Sequence, residues 1–501
     1  MAFVMIFSCV AMAAQVTYLK SPYWEPNTKK AINQMFEAYG KTSKGYNPNC
    51  KPYAVFDCDN SITVLDVEEQ LAIYQLEHLR FAIKPEQMFK VLTAGIPNID
   101  ESMGEDWGNL TVRKAANDVC KAYAKLYAKG WVKADRSQEK NMAKWMATDD
   151  WKEFAAKARW MYDAICDYFD AAVGYPWITY WFAGMTPKQV QDLAAESHRF
   201  YGNKPAEFWD KITWTSPAGY PSECGPLKIK FNKGVGVTAE LKELIAALDA
   251  NGIDMWINSA SHLDPIKAVP TVFGLKGVDG IVAMTNKIKN GKITWEYDYD
   301  LHAQTQGLGK SLTIDKCIRP KYKGRGPIFG AMDSQGDFNF CTEYKDTKVV
   351  LIMNRGRKDD AGILSAIAVW QNKNGIDAKK AWAMGDTRYC LQGRREAGAV
   401  CMPTSYSLLL KKEDKPVLLS EKAEKWLEKL EGGMSVKDLI NAAGGLAEGA
   451  KKDKAVLYRR GDDLQPMALN ISLREILSGR EDFDLVREDS LYVFNAESLR
   501  D

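Results

Sequence analysis

The sequence predicts an α/β fold: a doubly wound, mostly parallel sheet, a large helical cap inserted into it, and a small α+β module at the C-terminus. Three observations predict it. Apolar runs at residues 53–56, 253–258 and 327–332 each stop at a cluster of Asp, Ser and Asn, as buried strands feeding polar loops do. About 200 residues of helical and aromatic character separate the first run from the second, far more than a crossover needs. Beyond Pro403 the chain turns charge-rich and then breaks into short alternating runs.

At the N-terminus, residues 2–13 are apolar and lead into Ala11-Met12-Ala13-Ala14-Gln15, the small-residue pattern of a secretory signal. Residues 1–14 therefore read as a signal peptide, and the protein as periplasmic or secreted. The stretch lacks a basic n-region, so a buried N-terminal helix is the other reading. Without Cys9, nine of the ten cysteines remain, an odd number that leaves at least one unpaired in a monomer. Cys390 and Cys401 are near enough in sequence to pair.

Tyr53-Ala54-Val55-Phe56 is the first strand, and Asp57-Cys58-Asp59-Asn60-Ser61-Ile62 follows it. Two carboxylates one residue apart at a strand exit can share a divalent cation while one attacks and the other handles protons. Asp and Asn after a strand also make an ordinary chain reversal. The insertion spans about 67–235 and is rich in aromatics, among them these thirteen: Trp107, Trp131, Trp145, Trp151, Trp160, Tyr162, Tyr168, Phe169, Tyr175, Trp177, Tyr180, Trp181 and Phe182. Aromatic faces attract a quaternary ammonium. At helical spacing most of them fill a core, which leaves two or three to face a ligand. Glu68 and Glu69 read as charge near a helix N-terminus.

A helix reads from Thr238 as N-cap to Asn251-Gly252 as C-cap, and the run it feeds ends in Ser259-Ala260-Ser261. A hydroxyl at a strand end can hold a phosphoryl oxygen or simply satisfy a turn. Lys310, in Gly307-Leu308-Gly309-Lys310 before a short helix-like stretch, can neutralise phosphate charge or be one more solvated lysine. The third run feeds Asp333-Ser334-Gln335-Gly336-Asp337, two acids four apart, and a strand over 348–353 follows. Gly385-Asp386 comes after that strand with Cys390 where a second acid would be needed, so it reads as a turn.

In this order the chain resembles the haloacid dehalogenase superfamily of phosphatases, with Asp57, Asp59, Ser259, Lys310, Asp333 and Asp337 on its four motifs. From about residue 23 to 403 it is similar to the phosphoserine-phosphatase-like branch, and more closely to the secreted phosphorylcholine phosphatases. The supporting segments are Tyr23-Trp24-Glu25-Pro26-Asn27, Ser259-Ala260-Ser261, Asp333-Ser334-Gln335-Gly336-Asp337-Phe338 and Leu391-Gln392-Gly393-Arg394. Met332 stands where that pattern has glycine, and Ser61 where it has threonine. The resemblance implies a Rossmann-like hydrolase core in which Asp57 attacks phosphorus and Asp59 protonates the leaving oxygen and then activates water. It implies Mg2+ on the Asp57 carboxylate, the Asp59 main-chain carbonyl and Asp333. Ser259 and Lys310 would bind phosphoryl oxygens, Asp337 would orient Lys310 or a metal-bound water, and Asp66, nine residues after Asp57, would face a substrate amine.

Composition narrows the field. A net charge of +2 over 501 residues gives no reason to expect nucleic acid, and no apolar run is long enough for a membrane span. Four scattered histidines, His78, His198, His262 and His302, speak against a zinc site or a histidine nucleophile.

Residues 411–431 read as a helical linker, and 432–501 as a separate module. Its Gly433-Met434-Ser435-Val436-Lys437-Asp438-Leu439-Ile440 segment, the Gly444-Gly445 pair after a helix, and runs at 455–460, 469–473 and 485–493 resemble the soluble ligand-binding β-grasp module of polysaccharide-export proteins. Two functions stay open. One is a Mg2+-dependent phosphomonoesterase working through an aspartyl-phosphate, on phosphorylcholine or a similar amino-alcohol phosphate. The other is an envelope binding or assembly protein with a degenerate core, whose tail grips glycan or protein.

Overall fold

The computed structural model describes residues 15–202, 211–395, 400–402, 408–410, 415–417, 419–443, 445–446, 449–460, 466–486 and 489–495. The segment read as a signal peptide, the first residues of the expected linker (411–414) and Gly444 lie outside the described residues. The chain divides into two compact units, 1–420 and 421–501.

In the first unit, helix α1 (Pro26–Tyr39) opens with Glu25 accepting the Thr28 amide and leads into β1 (Tyr53–Phe56). The sheet then gains β2 (Asp254–His262), β3 (Gly280–Met284), β4 (Phe329–Met332), β5 (Val349–Asn354) and β6 (Arg388–Arg395). All six pair in parallel in the order β3-β2-β1-β4-β5-β6. Every residue of β1, β4 and β5 is buried, as strands covered on both faces require. Short strands β7 (Val400–Met402), β8 (Leu408–Leu410) and β9 (Lys415–Val417) extend the β6 edge. This order reverses direction between β1 and β4. In doubly wound sheets that reversal opens a crevice beyond the carboxyl ends of the strands, where ligands bind.

Between β1 and β2 the chain leaves the sheet. Thr63–Val64 runs out and pairs antiparallel with Gly236–Val237, which brings the chain back. Helices α2 (Val67–His78), α3 (Val112–Ala128), α4 (Asp149–Tyr168), α5 (Ala171–Thr179) and α6 (Pro187–Tyr201) lie in between. Eight of the thirteen aromatics are buried there, and the indole N–H groups of Trp145, Trp151 and Trp177 donate to the carbonyls of Glu77, Leu76 and Leu92. Satisfied indoles in a continuous apolar core are structural. The helix expected from Thr238 is α7 (Ala239–Ala250), with Thr238 capping Leu241 N and Asn251 at its end. Further on come α8 (Leu263–Phe273), α9 (Leu308–Thr313) and α10 (Asp360–Lys373). Gly385-Asp386 is a turn, with Asp386 N bonded to the Ala381 carbonyl.

Two expectations are corrected. The helix expected over 411–431 starts only at Glu421, because Lys415–Val417 is a strand. Pro416 lacks the N–H that a helix interior needs. The Cys390–Cys401 pair does not form: Cys401 sits opposite Arg394, four residues along β6 from Cys390. At about 3.3 Å per residue that is about 13 Å, beyond the roughly 7 Å that a disulfide spans. The eight cysteines with described side chains are all free thiols.

In the second unit, α11 (Glu421–Gly432) precedes α12 (Val436–Ala442), whose N-terminus is fixed by a Ser435–Asp438 capping box. Strands β10 (Ala450–Arg460), β11 (Pro466–Ile471) and β12 (Ser490–Asn495) form an antiparallel sheet with β10 central. Leu473, the last residue of the run at 469–473, begins α13 (Leu473–Ser478), where Ser472 accepts from the Glu475 amide. Val436, Ile440, Ala455, Leu457, Ile471, Leu473 and Ile476 are its core. No helix among the described residues is long and apolar enough to cross a membrane.

Candidate active site

β1, β2 and β4 end at the same edge of the sheet, and their ends carry the acids the sequence singles out. Asp57 is the first residue past β1, and its amide donates to the Ala331 carbonyl of β4. The chain then curls over Cys58, whose carbonyl accepts from the amides of Ser61, Ile62 and Thr63. Asn60 sits at φ +62°, a left-handed conformation that asparagine tolerates better than most residues. That curl returns the Ser61 hydroxyl to Asp57 Oδ2 at 2.7 Å.

Lys310 arrives on α9, inside the helix rather than before it. Gly307 and Gly309 make that approach feasible. Gly307 N donates to Gly336 O, and a Cβ on Gly309 would meet Gln304 O at 1.8 Å. Lys310 Nζ, 2% exposed, lies 2.6 Å from Asp57 Oδ1 and 2.5 Å from Asp337 Oδ1. Burial alone would pull this amine down, but the Asp337 and Asp57 carboxylates outweigh it and hold the ammonium charged.

Asp57, Asp333 and Asp337 are all buried, and each brings one carboxylate oxygen within 4.8 Å of the others. Burial first, then Lys310 and Asp333 with opposite signs, leaves the Asp57 carboxyl above its ordinary value; burial and Asp57 raise Asp337. Converging hard oxygen donors with surplus negative charge suit Mg2+, so the residues present fit that ion. The expected metal set was Asp57, Asp59 and Asp333, with Asp59 serving through its carbonyl. The structure adds Asp337 to the carboxylate group, and Asp59 turns its side chain elsewhere: Oδ1 accepts from Val67 N at 2.7 Å, and Oδ2 from Ser261 Oγ at 2.7 Å and Ser259 Oγ at 3.2 Å. Burial and the Asp57 charge push Asp59 up to about 6.

These groups open into one cavity of about 760 Å³ between the strand ends and the inserted helices. Its lining includes Asp57, Asp59, Asp66, Lys310, Asp333 and Asp337, but not Ser259. Ser259, expected to bind a phosphoryl oxygen, is fully buried with its hydroxyl bonded to Asp59 and to the Ser261 amide, and it is Ser261 that lines the cavity. Asp66 lines the cavity while also capping α2, accepting from the amides of Glu68 and Glu69. Glu68 is not solvated: it is buried and accepts from His262 N. Glu69 reaches the cavity held by Arg159 at 3.1 Å. Of the thirteen aromatics, Tyr162 and Tyr175 line the cavity. Ser261 and Arg355, which pairs with Asp333, were missed in the sequence. Alternation puts Ser259 and Ser261 on one face, and the register irregularity between Ser259 and His262 that separates them has no sequence signal, whereas the end of β5 marks Arg355.

Comparison with known proteins adds the following. Residues 429–468 match the model of the SLBB domain. No curated protein matches the chain. The chain is similar to a conserved protein of unknown function from Anaerococcus prevotii DSM 20548, at 27% identity and a TM-score of 0.66, over 78% of this chain and 98% of that one. It is distantly similar to a haloacid dehalogenase family hydrolase from Salmonella enterica serovar Typhi (8% identity, TM-score 0.28, 61% and 65% of the two chains). A probable phosphoserine phosphatase from Vibrio cholerae is similar at 10% identity and a TM-score of 0.24, over 62% and 57%.

Proposed function

We propose that this chain is a phosphomonoesterase of the haloacid dehalogenase type that works through an aspartyl-phosphate on Asp57. The observation that carries the reading is the single ammonium of Lys310 held between Asp57 and Asp337, with Asp333 in the same acid cluster. No simple turn or solvated lysine needs that arrangement.

Asp57 forms a bond to phosphorus as the ester oxygen leaves, and that oxygen takes its proton from Asp59. A carboxyl near 6 is protonated often enough at neutral pH to act as an acid and ionised often enough to act as a base. In the second half Asp59 takes a proton from water as its oxygen attacks phosphorus, and inorganic phosphate leaves Asp57. Lys310 balances charge on the phosphoryl oxygens, and Asp337 keeps Lys310 in place. Mg2+ held by Asp57, Asp333 and the Asp59 carbonyl would supply further charge stabilisation there.

The leaving group we assign is a small amino alcohol, with phosphorylcholine first. Asp66, Glu69, Tyr162 and Tyr175 line one wall of the cavity, and carboxylates beside aromatic faces favour an ammonium. The SLBB match supports a ligand-binding role for the second unit, with glycan or protein as partner, beside a catalytic first unit. A place outside the cytoplasm rests on the sequence of residues 2–15 alone.

The test is phosphate release from a panel of choline, ethanolamine, serine, glycerol and nucleotide monoesters, with Mg2+ and with excess chelator. We expect Mg2+-dependent release with the choline ester preferred. Absence of release from every ester with Mg2+ present would refute the enzyme reading; a preference for nucleotides would refute the leaving group alone.

A further inference from the structure

The acid cluster meets two cations, and the mechanism above uses only one of them. Lys310 answers Asp57 and Asp337. Asp333 Oδ2 instead accepts from Arg355 Nη1 at 2.5 Å. Arg355 is the first residue past β5, and β5 runs parallel to β4 with Ile352 opposite Met332, so the two strand ends deliver Arg355 and Asp333 to the same edge. The side chains are 26% and 5% exposed, which makes this a partly solvated guanidinium holding one oxygen of a buried acid.

Three carboxylates this close repel one another, and a side chain that repulsion turns away is lost to an ion that needs defined oxygen geometry. We propose that Arg355 is a positioning residue for the divalent cation: it holds Asp333 by one oxygen and leaves the other for the ion. The guanidinium also repels a cation. Its partial exposure screens that repulsion, whereas the orientation it imposes on Asp333 is not screened by solvent. The inference rests on Asp57, Asp333 and Asp337 being the cation site.

The test is calorimetric titration of MgCl2 into the full chain and into R355A, R355Q and R355K, with the Mg2+ dependence of phosphate release followed in parallel. Loss of a partner that orients a metal ligand typically weakens binding about 10–100-fold, which we expect for R355A. R355K, which keeps a charged donor, should recover part of the loss, and R355Q should fall between. At saturating Mg2+ the kcat of R355A should return toward wild type, which damage to the fold would not allow. Mg2+ binding by R355A and R355Q as tight as wild type, or tighter, would overturn the assignment and make Arg355 a bystander or a competitor. Failure of the wild-type chain to bind Mg2+ would overturn the cation site together with it.

Discussion

Lys310 Nζ lies 2.6 Å from Asp57 Oδ1 across 253 residues of sequence, and both groups are buried. The two halves of this pair are not equivalent. Lys310 is the cation that Asp57 and Asp337 share, so Lys310→Met leaves buried carboxylates without it and should cost about 3–5 kcal/mol. Asp57→Asn removes one of the repelling charges and leaves Lys310 on Asp337. It should abolish turnover with a melting temperature equal to or above wild type. Thermal denaturation and phosphate release on both variants check the contrast; a strongly destabilised Asp57→Asn would contradict it.

Asp59 is oriented from two sides, by the Val67 amide at the start of α2 and by the hydroxyls of Ser259 and Ser261. Loss of a positioned general acid typically costs about 10²–10⁴-fold, so Asp59→Asn should lower kcat/KM, which reports formation of the aspartyl-phosphate, by that much on an alkyl phosphate. Nitrophenolate leaves without needing a proton, so kcat/KM for nitrophenyl phosphate should fall much less, while its kcat falls because Asp59 also activates the water. Ser261→Ala should show the same substrate-dependent pattern at smaller amplitude. Equal losses of kcat/KM on both esters would remove Asp59 from the role of acid.

Strand ends are legible in this sequence because each apolar run stops abruptly at polar residues, and that is why Asp57, Asp59 and Asp333 are found at one edge of the sheet, with Asp337 just beyond; Lys310 reaches them from α9. Other features depend on direction rather than composition. Ser259 and Ser261 look equivalent in sequence, and only the path of β2 decides that Ser261 faces the cavity and Ser259 the interior. Glu68 reads as a helix-start charge, but the fold presses α2 against the start of α8, where the His262 amide needs an acceptor. The charged run at 411–431 reads as helical by its Lys, Glu and Leu, but Pro416 interrupts that pattern and strand pairing claims Lys415–Val417. Tertiary context decides the first two cases, and the proline itself argues against the helix in the third.

Tyr175 is 38% exposed and lines the same wall as Asp66 and Glu69. A cation over an aromatic face gains about 0.5–2 kcal/mol, so Tyr175→Leu should raise KM for the choline ester roughly 2–30-fold. Glu69→Gln should act in the same direction. KM for glycerol phosphate, which carries no cation, should not move in either variant. A parallel rise for both esters would mean that the wall shapes the cavity without reading charge.

His198 and His262 give the first unit a defined acid response. Burial lowers both imidazoles to about 4 from an ordinary 6.5. Both are therefore neutral in the folded chain, and the unfolded chain takes up protons first as the pH drops below 6.5. The stability they contribute is complete above pH 6.5 and is lost as the pH falls toward 4, by about 3 kcal/mol for each group over that window. Asp59, raised to about 6, works with the opposite sign, binding its proton more tightly when folded and adding stability as the pH falls. The readout is therefore a difference between variants rather than one absolute slope. His198→Gln keeps an N–H for the Pro265 carbonyl that His198 Nε2 meets at 3.2 Å, and it cannot titrate. Melting temperatures taken from pH 7 to 4 at saturating Mg2+ should fall less steeply for His198→Gln than for wild type; parallel curves would show that the buried imidazole is not the group being protonated.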